Sequence, residues 1–546
     1  MKKFLATTIT LTTLLFLCQF TLSAQSDAFK TGKNLDIQYS ILREIAMTYV
    51  DSVKMDKLIE TGIHAMLSTL DPYSVWIPEE DDEEIERMTI GSYGGVGAII
   101  QKLPSGNVLV SEPYFGSPSD KAGMVPGDQI LAVDGVSVLD ITINECSSRM
   151  KGEAGTSVVL TILKIRGGDT VDIKLTRERI RVSDILYSGI IQDSIGYIVY
   201  NEFSNDGYKE FIKALEQLQA TGKMKRLIVD LRGNGGGLME EAINVVSQFV
   251  PKGTLAVSSR GKIEYMNEEY HTKLTPLSET LPLMVMVNSG SASSSEIVAG
   301  ALQDMDRAVI AGSRTFGKGL IQNLRNVGYN TSLKLTTGKY YTPSGRCVQA
   351  IDYSNRNEDG SVGYIPDSLR QEFKTKNGRS VYDGGGIMPD IETEGEYFSR
   401  PLVAMVYSGI VSDFAIKYFG ENISIAAPGK FSMSDADYEE FIKYAVEKDF
   451  DSRTYVEIEF ERVLSSAKRE GLYELNQSYF DDLKSKISMD KETFLRKMRN
   501  EIQPVVEQEI VHKYYYATGA AEYGIRGDKQ LKAAIEKWNE VKLNEL

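Results

Sequence analysis

The stretch Asn288-Ser-Gly-Ser-Ala-Ser-Ser-Ser-Glu296 decides how the centre of this chain folds. It follows a short apolar run of strand type, residues 281–287, and it leads into residues 296–302, whose apolar positions have helical spacing. The pattern therefore predicts a strand, a tight turn and a helix, with the serine cluster at the helix N-terminus. Unpaired amide groups at such a terminus favour negative charge, so the turn could present a hydroxyl and also help to hold an oxyanion.

A serine nucleophile needs a base, and histidines are scarce in this chain. The only ones are His64, His271 and His512, and none of them lies in a motif. Lys318, in Thr315-Phe-Gly-Lys-Gly-Leu-Ile-Gln322, is the alternative. The reference pKa of lysine is about 10.4, so the amine acts as a base only where burial disfavours its charged form.

The glycines beside this lysine have two interpretations. Gly317 and Gly319 are expected to let substrate and chain pass close to the amine without a side-chain clash. Taken alone, however, a Gly-Lys-Gly sequence is more often an exposed turn.

A second glycine-rich stretch, Leu227-Ile-Val-Asp-Leu-Arg-Gly-Asn-Gly-Gly-Gly-Leu238, also reads as a strand that ends in a turn before a helix. Such a turn can bring bare N–H groups to a substrate. The stretch has neither the Gly-x-Gly-x-x-Gly spacing nor the lysine and hydroxyl of a P-loop, which argues against nucleotide binding.

Residues 290–304 and 312–322 closely resemble the C-terminal processing peptidases, or tail-specific proteases, of the S41 serine peptidase class. The resemblance implies that Ser293 is the nucleophile and that Lys318, 25 positions later, is its base. It also implies that Gln322 orients the lysine. Composition alone leaves four other serines open as nucleophiles: Ser289, Ser291, Ser294 and Ser295. The backbone oxyanion donors that the resemblance implies are Gly236 or Gly237, together with Ser294.

Residues 91–100, 117–135 and 151–162 together look like a PDZ domain. The glycine loop is expected to offer N–H groups to the terminal carboxylate of a peptide, and the strand after it to accept that peptide by edge addition. A small β domain used only for packing is the alternative. The residues predicted to bind the substrate C-terminus are Gly94, Gly95, Val96, Gly97, Ala98 and Ile99.

These features predict a multidomain α/β protein with a β-rich PDZ domain and helical N- and C-terminal regions. In the resembled family the protease core has a crotonase- or ClpP-like α/β fold. The expected order is a signal peptide at 1–24, a helical region at 25–88, the PDZ domain at 89–177, the peptidase core at 178–395 with an insertion at about 352–383, and a helical domain at 396–546.

The amino terminus has the charged, apolar and small-residue regions of a secretory signal, so we expect an exported, periplasmic protein cleaved after Ala24. An uncleaved signal that anchors the protein to a membrane is the alternative. The chain of 546 residues carries a net charge of −15, which becomes −17 when Lys2 and Lys3 leave with the signal. This acidity argues against nucleic acid as a partner.

The sequence predicts neither a metal site nor a cofactor, because no His, Cys and carboxylate cluster has ligand spacing. Cys146 and Cys347 fall in different predicted domains, so no disulfide is expected between them.

The expected function is that of a serine endopeptidase acting on exported proteins with exposed apolar C-termini, and the helical regions are compatible with a homodimer. Two alternatives come from other classes. One is a non-catalytic scaffold that binds C-terminal tails, and the other is a crotonase-type acyl-CoA enzyme that shares only the core fold.

Overall fold

A computed structural model describes residues 28–79, 92–103, 105–357 and 360–540. The expected signal peptide lies outside the described residues. The chain divides into a smaller unit, Met1–Glu79 with Gln322–Thr336, and a larger unit, Glu80–Ile321 with Thr337–Leu546.

The strands of the described residues are β1 (Val75–Ile77), β2 (Tyr93–Gly95), β3 (Ala98–Lys102), β4 (Val108–Pro113), β5 (Gln129–Val133), β6 (Val136–Ser137), β7 (Ser157–Leu163), β8 (Thr170–Thr176), β9 (Glu178–Ile180), β10 (Ile185–Ile191), β11 (Ile195–Tyr200), β12 (Arg226–Asp230), β13 (Leu255–Gly261), β14 (Glu268–His271), β15 (Leu283–Val287), β16 (Val309–Gly312), β17 (Leu320–Gly328), β18 (Thr331–Tyr341), β19 (Ile351–Arg356), β20 (Val362–Tyr364), β21 (Glu372–Lys374), β22 (Ser380–Tyr382) and β23 (Ile391–Glu392).

The α-helices are α1 (28–48), α2 (Met55–Ser68), α3 (Pro118–Lys121), α4 (Ile143–Met150), α5 (Gly207–Ala220), α6 (Met239–Val246), α7 (Ser294–Asp304), α8 (Arg400–Tyr407), α9 (Ile410–Glu421), α10 (Asp435–Val446), α11 (Tyr455–Arg469), α12 (Leu472–Leu475), α13 (Gln477–Ile487), α14 (Lys491–Lys497), α15 (Arg499–Ile525) and α16 (Lys529–Glu540).

A six-stranded sheet with the order β10-β11-β12-β15-β16-β23 forms the centre of the larger unit. Strand β10 is antiparallel to β11, and the other neighbours are parallel. Every residue of β15 is buried, which explains its continuous apolar run. Because β12 and β15 are parallel neighbours, the glycine-rich stretch and the serine turn that follow them emerge at the same edge of the sheet.

Helices cover both faces of this sheet. The first face packs with α5, α6 and α7 into one core, which includes Phe211, Val246 and Leu302. The second face packs against α16, whose Leu531 and Trp538 join a separate core. The sequence analysis placed this helix in the C-terminal helical domain at 396–546, and the structure shows that its apolar side also packs on the central sheet.

The region predicted to be a PDZ domain contains a sheet with the order β3-β4-β5-β7-β8, to which β6 adds beside β5. Its core includes Val110, Ile130 and Leu160, and along β7 the buried positions alternate with more exposed ones. Strand β3 lies at the edge of this sheet. Strand β2 pairs instead with β9 in a separate two-stranded ladder.

The predicted insertion at about 352–383 contains two small hairpins, β19 with β20 and β21 with β22. Arg379 fastens it to the core, since its guanidinium contacts Asp306 and Asp390, each at 2.6 Å. The predicted insertion is therefore an ordered β addition docked beside the C-terminal end of α7.

The C-terminal helices contact the PDZ region through α9 and α15. Arg166 lies over the ring of Phe419 with its guanidinium carbon 4.0 Å from the ring centre. Glu112 of β4 accepts a bond from His512 Nε2 of α15 at 2.7 Å. Helix α15 is broken beside this contact at Tyr516, whose φ of 58° and ψ of −167° are non-helical.

The smaller unit holds α1, α2 and β1. No side chain of the described helix α1 is buried, and α2 buries only Leu67. Strand β1 pairs antiparallel with residues 332–334 of β18. In the part of the chain that the structure describes, no helix is by itself long and apolar enough to cross a bilayer, whereas the bent pair of α8 and α9 meets that test together.

Candidate active site

The serine turn lies between β15 and α7, as the sequence predicted. Ser293 is the residue just before α7, and its φ of 55° with ψ of −113° is rare for a residue other than glycine. Sparsely populated backbone conformations persist only where the surroundings hold them, and they cluster at functional sites.

Three neighbouring serines hold this turn against the glycine-rich stretch. Their hydroxyls donate to backbone carbonyls: Ser291 to Leu231 at 2.7 Å, Ser294 to Gly237 at 2.8 Å and Ser295 to Asn234 at 2.9 Å. These three hydroxyls are engaged in bonds that shape the turn. Ser289, by contrast, is exposed, and Ser293 is half-buried.

Gly236 and Gly237 approach the serine turn and Phe203 too closely for side chains. A Cβ at Gly236 would lie 2.8 Å from Ser293 Cβ, and one at Gly237 would lie 2.3 Å from the carbonyl oxygen of Phe203. The amide of Gly236 already donates to Asn234 Oδ1 at 2.8 Å. In this conformation Gly236 is thus not a suitable oxyanion donor, and Gly237 is the better candidate of the two.

Lys318 lies in the loop between β16 and β17 and is half-buried. The interpretation of its flanking glycines needs correction. A Cβ at Gly317 would lie 2.3 Å from Ala350 Cβ, and one at Gly319 would lie 2.9 Å from the backbone nitrogen of Gln349. The glycines are required because residues 349–350 of the same chain pass beside the loop, so they are no evidence for the passage of a substrate.

Glu296 joins the lysine loop to the serine turn. Its Oε2 accepts the amide of Ser293 at 2.9 Å and that of Lys318 at 2.8 Å. Its Oε1 accepts the amide of Gly317 at 2.7 Å and the hydroxyl of Thr315 at 2.6 Å. The side chain is fully buried, and this burial raises the pKa of the Glu296 carboxyl while the four hydrogen bonds oppose that rise.

Tyr340 of β18 makes a second connection between the two segments. Its hydroxyl lies 3.0 Å from the carbonyl oxygen of Ser293 and 2.6 Å from that of Lys318. The sequence analysis assigned no role to Glu296 or Tyr340. The Ser-x-x-Glu spacing of 293–296 is the signal that could have indicated Glu296, because a glutamate three residues into a helix bonds back to its start.

The predicted orienting residue, Gln322, lies in β17 and is half-buried. Its amide nitrogen donates to the hydroxyl of Thr336 at 3.2 Å. Its role toward the lysine stays a prediction.

The residues predicted to bind a substrate C-terminus divide into three places. Gly94 and Gly95 belong to β2 and pair with β9, so they do not form the loop itself. The turn proper is Val96 and Gly97, with Gly97 at a φ of 76°. Ala98 and Ile99 begin the edge strand β3, as expected for a strand that accepts a peptide.

Both cysteines outside the expected signal are free thiols. Cys146 is buried in the PDZ core, and Cys347 lies in the segment after β18. Burial raises the pKa of each thiol, so neither has the activated character of a nucleophile.

Comparison with known proteins identifies three segments of the chain. Residues 194–354 match peptidase family S41, residues 109–164 match a PDZ domain, and residues 402–537 match the C-terminal helical domain of a probable PDZ-protease.

Among similar proteins is the carboxy-terminal-processing protease of Bartonella bacilliformis, which is 37% identical over 324 residues, covering 59% of this chain and 74% of that protein. The carboxy-terminal processing protease CtpA of Bacillus subtilis is 33% identical over 328 residues, covering 59% and 68%. A solved photosystem II D1 C-terminal processing protease is 26% identical, with a TM-score of 0.34 over 65% of this chain and 92% of that one. The extent of the likeness to the two bacterial relatives shows that this chain belongs to the carboxy-terminal processing proteases of serine peptidase family S41.

Proposed function

We propose that this protein is an endopeptidase in which Ser293 and Lys318 form the catalytic dyad. The observation that carries the proposal is the shared carboxylate of Glu296, which bonds to the backbone amides of both residues. It brings a strained serine turn and a half-buried lysine loop into one site, at the edge of the sheet where α/β enzymes place their ligands.

Catalysis proceeds in two stages. Ser293 Oγ attacks the carbonyl carbon of the scissile peptide bond while the neutral amine of Lys318 takes the hydroxyl proton. The backbone amides of Gly237 and Ser294 hold the oxyanion. Collapse of the tetrahedral intermediate breaks the C–N bond, and the departing amine of the C-terminal fragment receives the proton from Lys318.

The second stage restores the enzyme. Water gives a proton to Lys318 and attacks the ester carbonyl carbon on Ser293, and the serine oxygen leaves with that proton. In this scheme Gln322 orients the amine of Lys318.

The PDZ domain binds the exposed, apolar C-terminus of the substrate. Support comes from the turn at Val96 and Gly97, followed by the edge strand β3, on which Ile99 is 42% exposed. A peptide added beside β3 would place its carboxylate at this turn. Amidating the C-terminus of a bound apolar peptide should weaken binding at least tenfold in a fluorescence anisotropy titration, and equal affinity would contradict this mode.

The substrates are exported proteins in this proposal, and the protein itself is periplasmic. The support is the signal-like amino terminus. Amino-terminal sequencing of the exported protein should find Gln25 as the first residue.

Helix α1 favours a homodimer, because none of its side chains is buried against the rest of the same chain. Ile37, Ile41 and Ile45 are spaced four apart on one stripe, and Ile41 is 54% exposed. Because most of the stability of a helix in a protein comes from packing of its apolar face, a second copy of α1 is the proposed cover. Light scattering should give twice the monomer mass, and Ile41→Glu should reduce it to the monomer mass.

The dyad is tested with Ser293→Ala and Lys318→Ala, against Ser289→Ala from the same turn as the matched control. Each dyad variant should lose at least about 1,000-fold in cleavage of a disordered protein while keeping its affinity for the tail peptide. The control should cleave normally. Turnover retained by either dyad variant in protease-free preparations would contradict the assignment.

A serine-directed phosphonate probe separates this proposal from the non-catalytic scaffold. The wild-type protein should be labelled at Ser293. An unlabelled protein that still binds tail peptides would favour the scaffold.

A further inference from the structure

We propose that Tyr340 and Glu296 are positioning residues that together fix the separation of Ser293 and Lys318. The inference rests on the proposed Ser293 and Lys318 chemistry and adds two groups that do not themselves touch the substrate.

The two side chains bond to complementary groups of the same two residues. Glu296 accepts both amide N–H groups, at 2.9 Å from Ser293 and 2.8 Å from Lys318. Tyr340 contacts both carbonyl oxygens through its hydroxyl, at 3.0 Å and 2.6 Å. The backbones of the nucleophile and its base are therefore joined twice, once through an acceptor and once through a donor.

The hydrogen bonds of each group fit one protonation state. All four contacts of the Glu296 carboxylate come from donors, and each of its oxygens accepts two of them, so the bonds fit the ionised form. Burial raises the pKa of Tyr340 well above its ordinary value, so the phenol stays a donor.

The scaffold behind each group is rigid. Tyr340 is 1% exposed, and its own amide donates to the carbonyl oxygen of Gly319 at 3.0 Å. It pairs with Ser259 of β13 across the neighbouring strand. Glu296 lies in the first turn of α7, which is buried along its entire length. Two packed elements thus converge on the dyad, which is how side chains hold a reactive geometry.

Tyr340→Phe is the central test, because it removes one hydroxyl and keeps the ring. The matched control is Tyr438→Phe, since Tyr438 is also 1% exposed and its hydroxyl donates to the backbone carbonyl of Leu495 at 2.9 Å in the helical domain. Both variants should lower the melting temperature by similar amounts. Only Tyr340→Phe should lower kcat, by about 10- to 100-fold with KM unchanged, and should slow phosphonate labelling of Ser293 equally.

Glu296→Gln tests the other connection, with Glu507→Gln as its control. Glu507 is 5% exposed and accepts several bonds in the helical domain, including the amide of Met433 at 2.8 Å. Glu296→Gln should lower kcat about 100-fold or more, because its amide nitrogen would face two donors. Glu507→Gln should leave kcat within twofold of the wild type.

The pH profile distinguishes positioning from a loss of folding. Glu296 and Tyr340 are titratable side chains that bond to the backbone of Lys318, and Cys347 interacts electrostatically with both. Removing the charge of Glu296 favours the neutral amine, so the acid limb of kcat/KM should move to lower pH in Glu296→Gln and stay in place in Tyr340→Phe.

The inference is overturned if Tyr340→Phe and Glu296→Gln keep wild-type kcat when folded, or if Tyr438→Phe loses as much kcat as Tyr340→Phe. If the proposed dyad itself is wrong, the result is different, because Ser293→Ala would then retain turnover.

Discussion

Two buried glutamates of this protein organise contacts in different ways. Glu296 accepts four bonds from backbone amides and a threonine hydroxyl, none of which titrates near neutral pH. Glu112 instead accepts from His512 at 2.7 Å and from the amide of Ala517 at 3.4 Å, at the break in α15. The carboxylate in the candidate active site is therefore held by four donors, whereas the contact between the PDZ domain and the helical domain depends on one imidazole and one longer amide contact.

Asp184, just before β10, extends the comparison to a carboxylate with few donors. It is 2% exposed, and Ser204 supplies two bonds to it, from its amide at 3.2 Å and its hydroxyl at 2.9 Å. Burial is the main cause that raises the pKa of Asp184 to about 7. Burial raises the pKa of both carboxyls, and four hydrogen bonds oppose that rise in Glu296 against the two from Ser204 in Asp184.

The largest expected effect is that of Glu296→Ala. It leaves four buried donors without an acceptor, so the free energy of unfolding should fall by about 3–5 kcal/mol. Chemical denaturation measures this loss, and Glu112→Ala is the comparison, with an expected loss of about 1–3 kcal/mol. Equal losses would break the contrast between the two glutamates.

Asp184→Asn tests whether this buried carboxyl makes the stability of the protein depend on pH. A carboxyl with a folded pKa of about 7 binds its proton more tightly in the folded than in the unfolded protein. Its contribution to stability is therefore full below about pH 4 and is lost as the pH rises toward 7, by about 2–4 kcal/mol. The variant should lack this decline in denaturation curves recorded from pH 4 to 8. If the stability of the variant declines with pH as much as that of the wild type, another titratable group causes the decline.

His512→Gln should have a smaller, local effect. The imidazole is the partner of a nearly buried carboxylate, so its loss should cost about 1–2 kcal/mol. Hydrogen exchange should quicken in β4 and around the break of α15, while the serine turn keeps its protection.

The smallest effect is expected for Lys121→Ala. Lys121 pairs with Glu178 at 3.0 Å, but both side chains are about half exposed, so stability should change by less than about 0.5 kcal/mol. A loss as large as that of His512→Gln would show that burial does not set the strength of these pairs.

The sequence predicts the local features of the site well. The buried strand before Ser293 and the helix after it follow from the apolar pattern, and the family resemblance is confirmed by the comparisons. Such features depend on neighbours within a few residues, which a single sequence displays directly. The roles of Ser293, Lys318 and Gln322 stay predictions.

Contacts between distant segments were not predictable. Tyr340 reaches Ser293 from 47 positions away, and Gly317 is a glycine because Ala350 passes beside it. Neither fact leaves a periodic or compositional trace. The same reason explains why Gly94 and Gly95 were assigned to a loop, since their pairing with residues 178–179 depends on tertiary structure.

The last helix has a consequence for how this protein is made. Arg232, in the glycine-rich stretch, bonds to Asp528 almost 300 positions later, and α16 beyond it covers Ile228 and Met284 on the second face of the sheet. During synthesis from the amino terminus, that apolar face stays open to water until residues 529–540 emerge. A chain that lacks residues 529–540 is therefore prone to aggregate, because this apolar face of its central sheet is uncovered.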